Sequence, residues 1–205
     1  MASRPQLTVL QAYDAKATFF VVGRNMGKGA INDPSTSWPA TIRRMFSSGH
    51  QIASHTWSHQ KLTEISETQF RRQILFNEIA IADLLDGRFP TYMRPPHSMS
   101  DATTDAWLAD LGYHITYFDL NTRGYENDNA ENIQTSIDLW DARWDLETAP
   151  GSGRGNVLQI EHDPLFYAVY NLTGHILQSL RGSGFRPVPV GECLGDPEAN
   201  WYRRV

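Results

Sequence analysis

The sequence is short of cysteine, of long apolar runs and of positive charge, and each shortage excludes a class of protein. Its single cysteine, Cys193, cannot form a disulfide within the chain. No apolar run approaches the roughly 20 residues that a transmembrane helix needs, and the N-terminus has no signal-peptide pattern. With 18 basic and 23 acidic residues, the net charge is -5. We therefore expect neither nucleic acid nor a membrane as the partner.

What is present is an alternation of short apolar or β-branched runs with helical patterns, which is typical of an α/β fold with a parallel sheet. No repeat or linker divides the 205 residues, so we expect one domain over residues 1–205. Strands are predicted at residues 17–22, 51–54, 92–94, 115–118, 157–160 and 186–188. Helices are predicted at residues 39–48, 67–85, 101–111, 130–144 and 166–180.

The second of these helices has the strongest local signals. Ser66 and Gln69 are spaced as a capping box, in which each side chain satisfies a free backbone amide at the helix start. Phe70, Ile74 and Ile81 then recur at helical spacing, which predicts one face buried in the core.

Two histidines four residues apart, His55 and His59, directly follow the predicted strand at residues 51–54. If the chain coils into a helical turn there, both imidazoles lie on one face and can bind one metal ion. The alternative is two solvent-facing histidines on a loop, because the spacing alone is a weak signal. The polar residues that follow the other strands favour the first interpretation.

Four consecutive predicted strands each end in side chains that can bind a ligand. In parallel sheets the carboxyl ends of the strands meet at one edge, where binding sites are built. The coincidence of four such ends predicts a site. The groups, in chain order, are His55 and His59; Arg94 and His97; Asp119 and Asn121; and Glu161, His162 and Asp163.

Each group also has a structural interpretation that the sequence leaves open. Arg94 precedes two prolines and could be a turn arginine paired with a surface acid. Asp119 could cap a turn, which is the commonest role of an aspartate after a strand. His162 could be a structural histidine whose hydrogen bonds are satisfied within the fold.

Four motifs, together with one strand segment, carry a resemblance to a known family. The chain is similar to polysaccharide deacetylases, the NodB-homology enzymes of carbohydrate esterase family 4, and most similar to fungal chitin deacetylases. The resemblance covers about residues 5–189, in the expected order. It rests on Lys16–Gly23, His55-Thr-Trp-Ser-His59, Arg94-Pro-Pro-His97, Phe118-Asp-Leu-Asn-Thr122 and Leu158-Gln-Ile-Glu-His162-Asp163.

The resemblance implies a distorted (β/α) barrel, a divalent metal ion, Zn²⁺ or another such as Co²⁺, and hydrolysis of N-acetyl groups on chitin or chitooligosaccharides. It also implies a secreted or cell-wall location. By the same matching, His55 and His59 bind the metal, and His162 acts as the general acid. Arg94 orients the catalytic base. Asn121 occupies the position whose side chain adjusts the acidity of His162.

Three further residues are matched to substrate binding. The backbone amide of His97 is the oxyanion donor, Ile160 lines the pocket for the acetyl methyl group, and Trp57 lies between the two metal-binding histidines. His97 replaces the usual tyrosine of its motif. Asn121 replaces an aspartate, and an amide cannot stabilise an imidazolium by charge. His162 should therefore be a poorer acid.

One family motif is not found in the chain. The Thr-Phe-Asp-Asp-Gly-Pro motif supplies the catalytic base and the third metal ligand, and no Asp-Asp pair occurs in the 205 residues. We therefore expect a domain truncated at its N-terminus, with a barrel incomplete at the first strand. Asp14, Asp119 and Asp163 are left open as substitutes for the motif's carboxylates.

Three functions follow as hypotheses. The first is a metal-dependent chitin deacetylase, impaired in this form. The alternative is a catalytically inactive glycan-binding protein of the same fold. The third is hydrolysis of linear amides, imides or peptidoglycan acetyl groups on the same scaffold.

Overall fold

The computed structural model describes residues 3–24, 27, 29–151 and 155–204. Its internal contacts divide the chain into two compact units. The first comprises Met1–Lys16 and Phe118–Val188, and the second comprises Ala17–Tyr117 and Pro189–Val205. The expectation of one domain over residues 1–205 stays a prediction.

Helices and strands alternate along the chain, as the sequence predicts. The helices are α1 (Ser3–Ala12), α2 (Trp38–Ser47), α3 (Glu67–Leu84), α4 (Ala102–Asp110), α5 (Ile133–Thr148), α6 (Thr173–Leu180) and α7 (Val190–Cys193). The strands are β1 (Thr18–Val21), β2 (Gln51–Ser54), β3 (Arg88–Pro90), β4 (Tyr92–Met93), β5 (His114–Ile115), β6 (Leu120–Asn121), β7 (Gln159–Ile160) and β8 (Tyr202–Arg204). None of the helices in the described ranges is long and apolar enough to cross a membrane.

The second unit is built on a four-stranded sheet in the order β1-β2-β4-β5, and all its strand pairs are parallel. All four residues of β2 are buried, which is typical of a central strand covered on both faces. Helix α3 begins at the capping box of Ser66 and Gln69 that the sequence predicts. Phe70 and Ile74 of α3 pack in a core with Met93 of β4.

The first unit holds the parallel pair β6 and β7, in which Asn121 lies opposite Ile160. Its core packs α5 against α6 and the π-helical turn Ala168–Leu172 that precedes α6. Trp140 of α5 and Leu172 are both buried there. This core supports the strand end that carries His162.

The α/β architecture expected from the sequence is confirmed, and the described strands pair into three separate sheets without closing a barrel. One predicted strand is wrong, because residues 186–188 are irregular. Pro187 and Pro189 explain the difference, since proline has no N–H to donate to a neighbouring strand. The carbonyl of Pro187 still accepts a hydrogen bond from the backbone N–H of Lys16.

Candidate active site

The His55–His59 segment leaves the central strand β2 at its carboxyl end, as predicted, but it does not coil into a helical turn. Thr56 and His59 both have positive φ, at 70° and 58°. The backbone is fixed by tertiary bonds, because the N–H of His55 donates to Val21 of β1 and the N–H of Trp57 donates to Gln73 of α3. The two imidazole rings nevertheless meet edge to face, with centroids 4.8 Å apart.

One hydrogen bond decides which nitrogen of His55 carries the proton. Nδ1 of His55 lies 2.7 Å from the carbonyl oxygen of Arg94. A carbonyl can only accept, so Nδ1 carries the proton and Nε2 presents its lone pair. This is the arrangement in which a second partner holds a metal-binding histidine in the ligating tautomer.

The indole ring of Trp57, which lies between the two histidines in sequence, packs directly against the backbone at Gly23. A Cβ atom added at Gly23 would lie 2.3 Å from the Trp57 ring and 2.7 Å from the side chain of Asn77. Glycine is therefore required at position 23 for the indole to lie where it does. The role of Trp57 in substrate binding stays a prediction.

Two buried polar residues of α3, which the sequence analysis did not single out, hold this segment. Gln73 accepts a hydrogen bond from the backbone N–H of Ser58 and donates to the Ser58 hydroxyl. Asn77 donates to the carbonyl of Val21 and to the hydroxyl of Ser54. The available signal was their spacing, since they lie four apart on the same buried face as Phe70 and Ile74.

We expect Gln73→Leu to loosen the histidine segment. The change leaves the backbone N–H of Ser58 without its acceptor, which costs about 1–3 kcal/mol of unfolding free energy. Loss of support behind the ligands should also lower zinc affinity by roughly 10-fold or more. Urea unfolding and zinc titration measure the two effects. Gln134→Leu, at an exposed helical position, is the matched control, and equal losses in both variants would contradict the role of Gln73.

Arg94 is buried at the carboxyl end of β4, with 7% of its surface exposed. Its Nη2 donates to the carbonyl of Tyr117 at 2.7 Å, its Nε donates to Thr116, and its guanidinium lies 4.1 Å from the centre of the Phe20 ring. Burial lowers the pKa of Arg94 to about 10, so it stays charged at neutral pH. The predicted role of orienting a base stays a prediction.

His97 follows the rigid Pro95-Pro96 pair and brings a third imidazole to the two histidines. Its ring centroid lies 4.6 Å from that of His59. His97 is exposed and has φ 58°, a left-handed conformation that non-glycine residues adopt rarely. Its backbone amide as an oxyanion donor stays a prediction.

In the first unit, Asn121 and His162 are linked through a tyrosine. The Asn121 side-chain amide donates to the hydroxyl of Tyr125 at 3.3 Å, and its oxygen accepts from the backbone N–H of Arg123. The Tyr125 ring meets the His162 ring edge to face, with centroids 5.2 Å apart. Tyr125 is therefore a neighbour of the candidate acid that the sequence analysis missed.

Ile160 is the last residue of β7, and Glu161 follows it, just before His162. Ile160 is half-buried, and its place in an acetyl pocket stays a prediction. Glu161 accepts hydrogen bonds from the Thr122 hydroxyl and the Gln159 amide. Although Glu161 as a residue is half-buried, its carboxylate oxygen Oε2 is fully buried and has no hydrogen-bond partner among the described residues. This burial raises the pKa of Glu161 to about 7, against the opposing effect of the hydrogen bonds.

The carboxylates left open as substitutes gain no support as metal ligands. The Asp119 carboxylate accepts a hydrogen bond from the backbone N–H of Leu158 at 2.9 Å, so it stabilises the residue that directly precedes β7. Within residues 3–24, 27, 29–151 and 155–204, no three His, Cys, Asp or Glu side chains are arranged to hold an ion. A third metal ligand is therefore not assigned to Asp14, Asp119 or Asp163.

These features define an α/β protein with ligand-capable histidines at the carboxyl ends of parallel strands, which is where α/β enzymes build their sites. The comparisons with known proteins give the particular family. The family model for polysaccharide deacetylase matches residues 2–116. The chain belongs to the polysaccharide deacetylase family, whose members are hydrolases acting on C–N bonds other than peptide bonds.

Individual relatives agree with this assignment. Chitin deacetylase of Colletotrichum lindemuthianum is 37% identical over 97% of this chain and 77% of that protein. Chitin deacetylase of Arthroderma benhamiae is 33% identical over 97% of this chain and 50% of that protein. The chain thus spans between half and three quarters of the length of these two relatives. The solved structure of the Colletotrichum enzyme superposes with a TM-score of 0.90 at 35% identity, covering 99% of this chain and 86% of that one.

Proposed function

We propose that this chain is a divalent-metal-dependent deacetylase that hydrolyses the N-acetyl groups of chitin or chitooligosaccharides. The observation that supports the proposal is the His55–His59 pair, whose ring centroids lie 4.8 Å apart and in which the carbonyl of Arg94 accepts a hydrogen bond from Nδ1 of His55, so that Nε2 is the nitrogen with the lone pair. The relatives named chitin deacetylase support the substrate class. A secreted or cell-wall location is proposed with it, on the family alone.

The donor chemistry of the His55 and His59 side chains suits Zn²⁺ or Co²⁺. Neutral imidazoles are ligands that both ions accept, and His55 already has the tautomer and the supporting hydrogen bond that such ligands need. His55 and His59 would hold the ion. When bound, a divalent ion polarises an amide carbonyl and lowers the pKa of a coordinated water.

The other roles belong to residues of the chain itself. His162 would donate a proton to the leaving amine, and the backbone N–H of His97 would donate to the oxyanion. Tyr125, packed against His162 and bonded to Asn121, restricts the orientation of the imidazole. Asn121 supplies no negative charge, so the His162 imidazolium gains little stabilisation from it. We therefore propose a deacetylase that is slower than one with aspartate at this position.

A catalytically inactive glycan-binding protein is the second candidate. It is favoured by the lack of a third metal-ligand side chain within the described residues. Exposed aromatic rings in the first unit also suit sugar binding, since the apolar face of a sugar packs on an aromatic ring. Tyr125, Phe166 and Tyr170 are 47%, 60% and 49% exposed.

Acetate release from chitooligosaccharides, with and without added Zn²⁺ or Co²⁺, distinguishes the two candidates. We expect metal-dependent release, reduced roughly 10²–10⁴-fold in His162→Ala, because the leaving amine loses its proton donor. Saccharide binding without release at any metal concentration would contradict the proposal and support the second candidate. Release from small linear amides, with no dependence on sugar length, would indicate the third hypothesis instead.

A further inference from the structure

Glu161 joins the segment after β7 to the segment after β6 through a cluster of side-chain hydrogen bonds within the first unit. Its Oε1 accepts one hydrogen bond from the Thr122 hydroxyl at 2.6 Å and another from the Gln159 amide. The Gln159 amide also donates to the Thr122 hydroxyl at 2.9 Å, so each of the three side chains contacts the other two. Thr122 is fully buried. Because Glu161 directly precedes His162, this cluster fixes the backbone from which the His162 imidazole extends.

A second set of contacts reaches the imidazole itself from the same side. Asn121, which directly precedes Thr122, donates from its side-chain amide to the hydroxyl of Tyr125. The Tyr125 ring meets the His162 ring edge to face. The hydrogen bond between Glu161 and Thr122 closes these contacts into one network. His162 is therefore held through its backbone at one point and through its imidazole at another.

The packing around the Glu161 carboxylate leaves it little freedom to move. A Cβ atom added at Gly124 would lie 3.1 Å from Oε2 of Glu161, 3.3 Å from the Ala168 side chain and 3.5 Å from the Leu172 side chain. Ala168 and Leu172 are both buried. Oε2 is itself buried and has no hydrogen-bond partner among the described residues, so both side-chain hydrogen bonds to the carboxylate are made at Oε1.

We propose that Glu161 is a positioning residue for the candidate acid, whose Oε1 holds the strand end so that the His162 imidazole keeps its place against Tyr125. The inference rests on the proposed function, in which His162 donates a proton to the leaving amine, and it adds one residue to that function. A general acid works only within hydrogen-bond reach of the atom that it protonates, and a displacement of about 1 Å can cost roughly 10²-fold in rate. Positioning matters more here because Asn121 carries no charge to attract the imidazolium.

The test compares Glu161→Leu with Glu161→Gln in acetate release from chitooligosaccharides with Zn²⁺ added. Leucine has no acceptor for the Thr122 hydroxyl, whereas glutamine keeps one oxygen. At pH 6 glutamine also matches the protonated carboxyl, because burial raises the pKa of Glu161 to about 7. We expect leucine to lower kcat roughly 10–100-fold with KM nearly unchanged, and glutamine to keep kcat within about threefold of wild type. The matched control is Glu131→Leu, at an exposed position of the same unit, which should keep the wild-type kcat.

Two combined variants separate positioning from a general loss of structure. If Glu161 acts only through His162, Glu161→Leu causes no further loss of rate in a His162→Ala background. Thr122→Val removes the hydrogen-bond donor and keeps the shape of the side chain. Combined with Glu161→Leu, it should add nothing to the loss that Glu161→Leu causes alone, because both changes break the same contact.

Nuclear magnetic resonance gives a readout that does not depend on activity. We expect the Overhauser cross-peak between the Tyr125 and His162 rings to persist in Glu161→Gln and to vanish in Glu161→Leu. If wild type releases acetate and Glu161→Leu keeps its kcat, or lowers the rate equally in the His162→Ala background, the inference is wrong and the proposed function stands. If wild type releases no acetate, the proposed function fails and the cross-peak decides the inference: its loss in Glu161→Leu supports the role of Glu161, and its persistence overturns it.

Discussion

Replacing His55 by alanine is expected to reduce zinc affinity by more than about 100-fold and metal-dependent acetate release by more than about 10³-fold. Loss of a partner that only orients a metal ligand typically lowers affinity 10–100-fold, and loss of the ligand itself should exceed that. His55 is the proposed ligand with the most support, because the Arg94 carbonyl fixes its tautomer and its orientation. Isothermal titration with zinc and an assay for released acetate measure the two losses.

The control for this prediction is His175→Ala. His175 lies in the other unit and pairs with Asp141 at 2.6 Å, outside the residues proposed to bind metal or substrate. We expect this variant to keep wild-type affinity and release. Retention of both properties by His55→Ala, with the thermal midpoint of unfolding unchanged, would refute the metal site at the histidine pair.

The elements with strong local signals were predictable from the sequence. Strand β2 matches the predicted residues 51–54, and α3 matches the predicted residues 67–85 to within one residue. In both, the pattern of apolar residues and the flanking residues agree with the tertiary environment, which buries the same positions. The ligand-capable residues after β2 and β4 follow from these predictions.

The remaining elements depend on contacts that the local sequence does not encode. Strand β3 pairs antiparallel with β8, and their partners Arg88 and Arg204 are far apart in the chain. Strand β6 contains two residues, too few for an alternating pattern to be recognised, whereas β7 lies within the predicted strand at residues 157–160. Helix α1 was also missed. Its first turn has no acidic residue to signal a helix start.

The geometry of the histidine segment was unpredictable for a different reason. His55-x-x-x-His59 spacing favours a helical turn, yet positive φ at Thr56 and His59 produces the ring contact by another route. Two backbone hydrogen bonds hold those conformations. The N–H of Gly23 donates to the carbonyl of Thr56, and the N–H of Trp57 donates to the carbonyl of Gln73. Only the folded structure supplies such partners, so tertiary contacts override the local preference.

Glu161→Gln is expected to change how the stability of the fold depends on pH. A carboxyl group whose pKa is higher in the folded state than in the unfolded state binds its proton more tightly when folded. For Glu161 the two values are about 7 and 4.5, because its Oε2 is buried without a partner. The protonated Glu161 carboxyl therefore contributes its full share to the free energy of unfolding below pH 4.5. This contribution is lost as the pH rises through about 7.

The size of this loss follows from the same pKa difference. Each pKa unit corresponds to about 1.4 kcal/mol, so ionising Glu161 should lower the free energy of unfolding by about 2–3 kcal/mol between pH 5 and pH 8. Glutamine keeps an oxygen for the hydrogen bond from Thr122 and does not ionise. We therefore expect the variant to gain about 2–3 kcal/mol on wild type over this interval, measured by urea unfolding at both pH values.

The matched control is Glu126→Gln, at an exposed position of the same unit, where Glu126 lies 3.8 Å from Arg123. Solvent screens such a pair, so the pH dependence of this variant should follow wild type to within a few tenths of a kcal/mol. The wild-type and Glu161→Gln curves should diverge with rising pH, because only the wild type must hold a buried charge at the end of β7. Parallel curves would show that Glu161 ionises with an ordinary pKa, and that the carboxylate beside His162 is solvated in the folded protein.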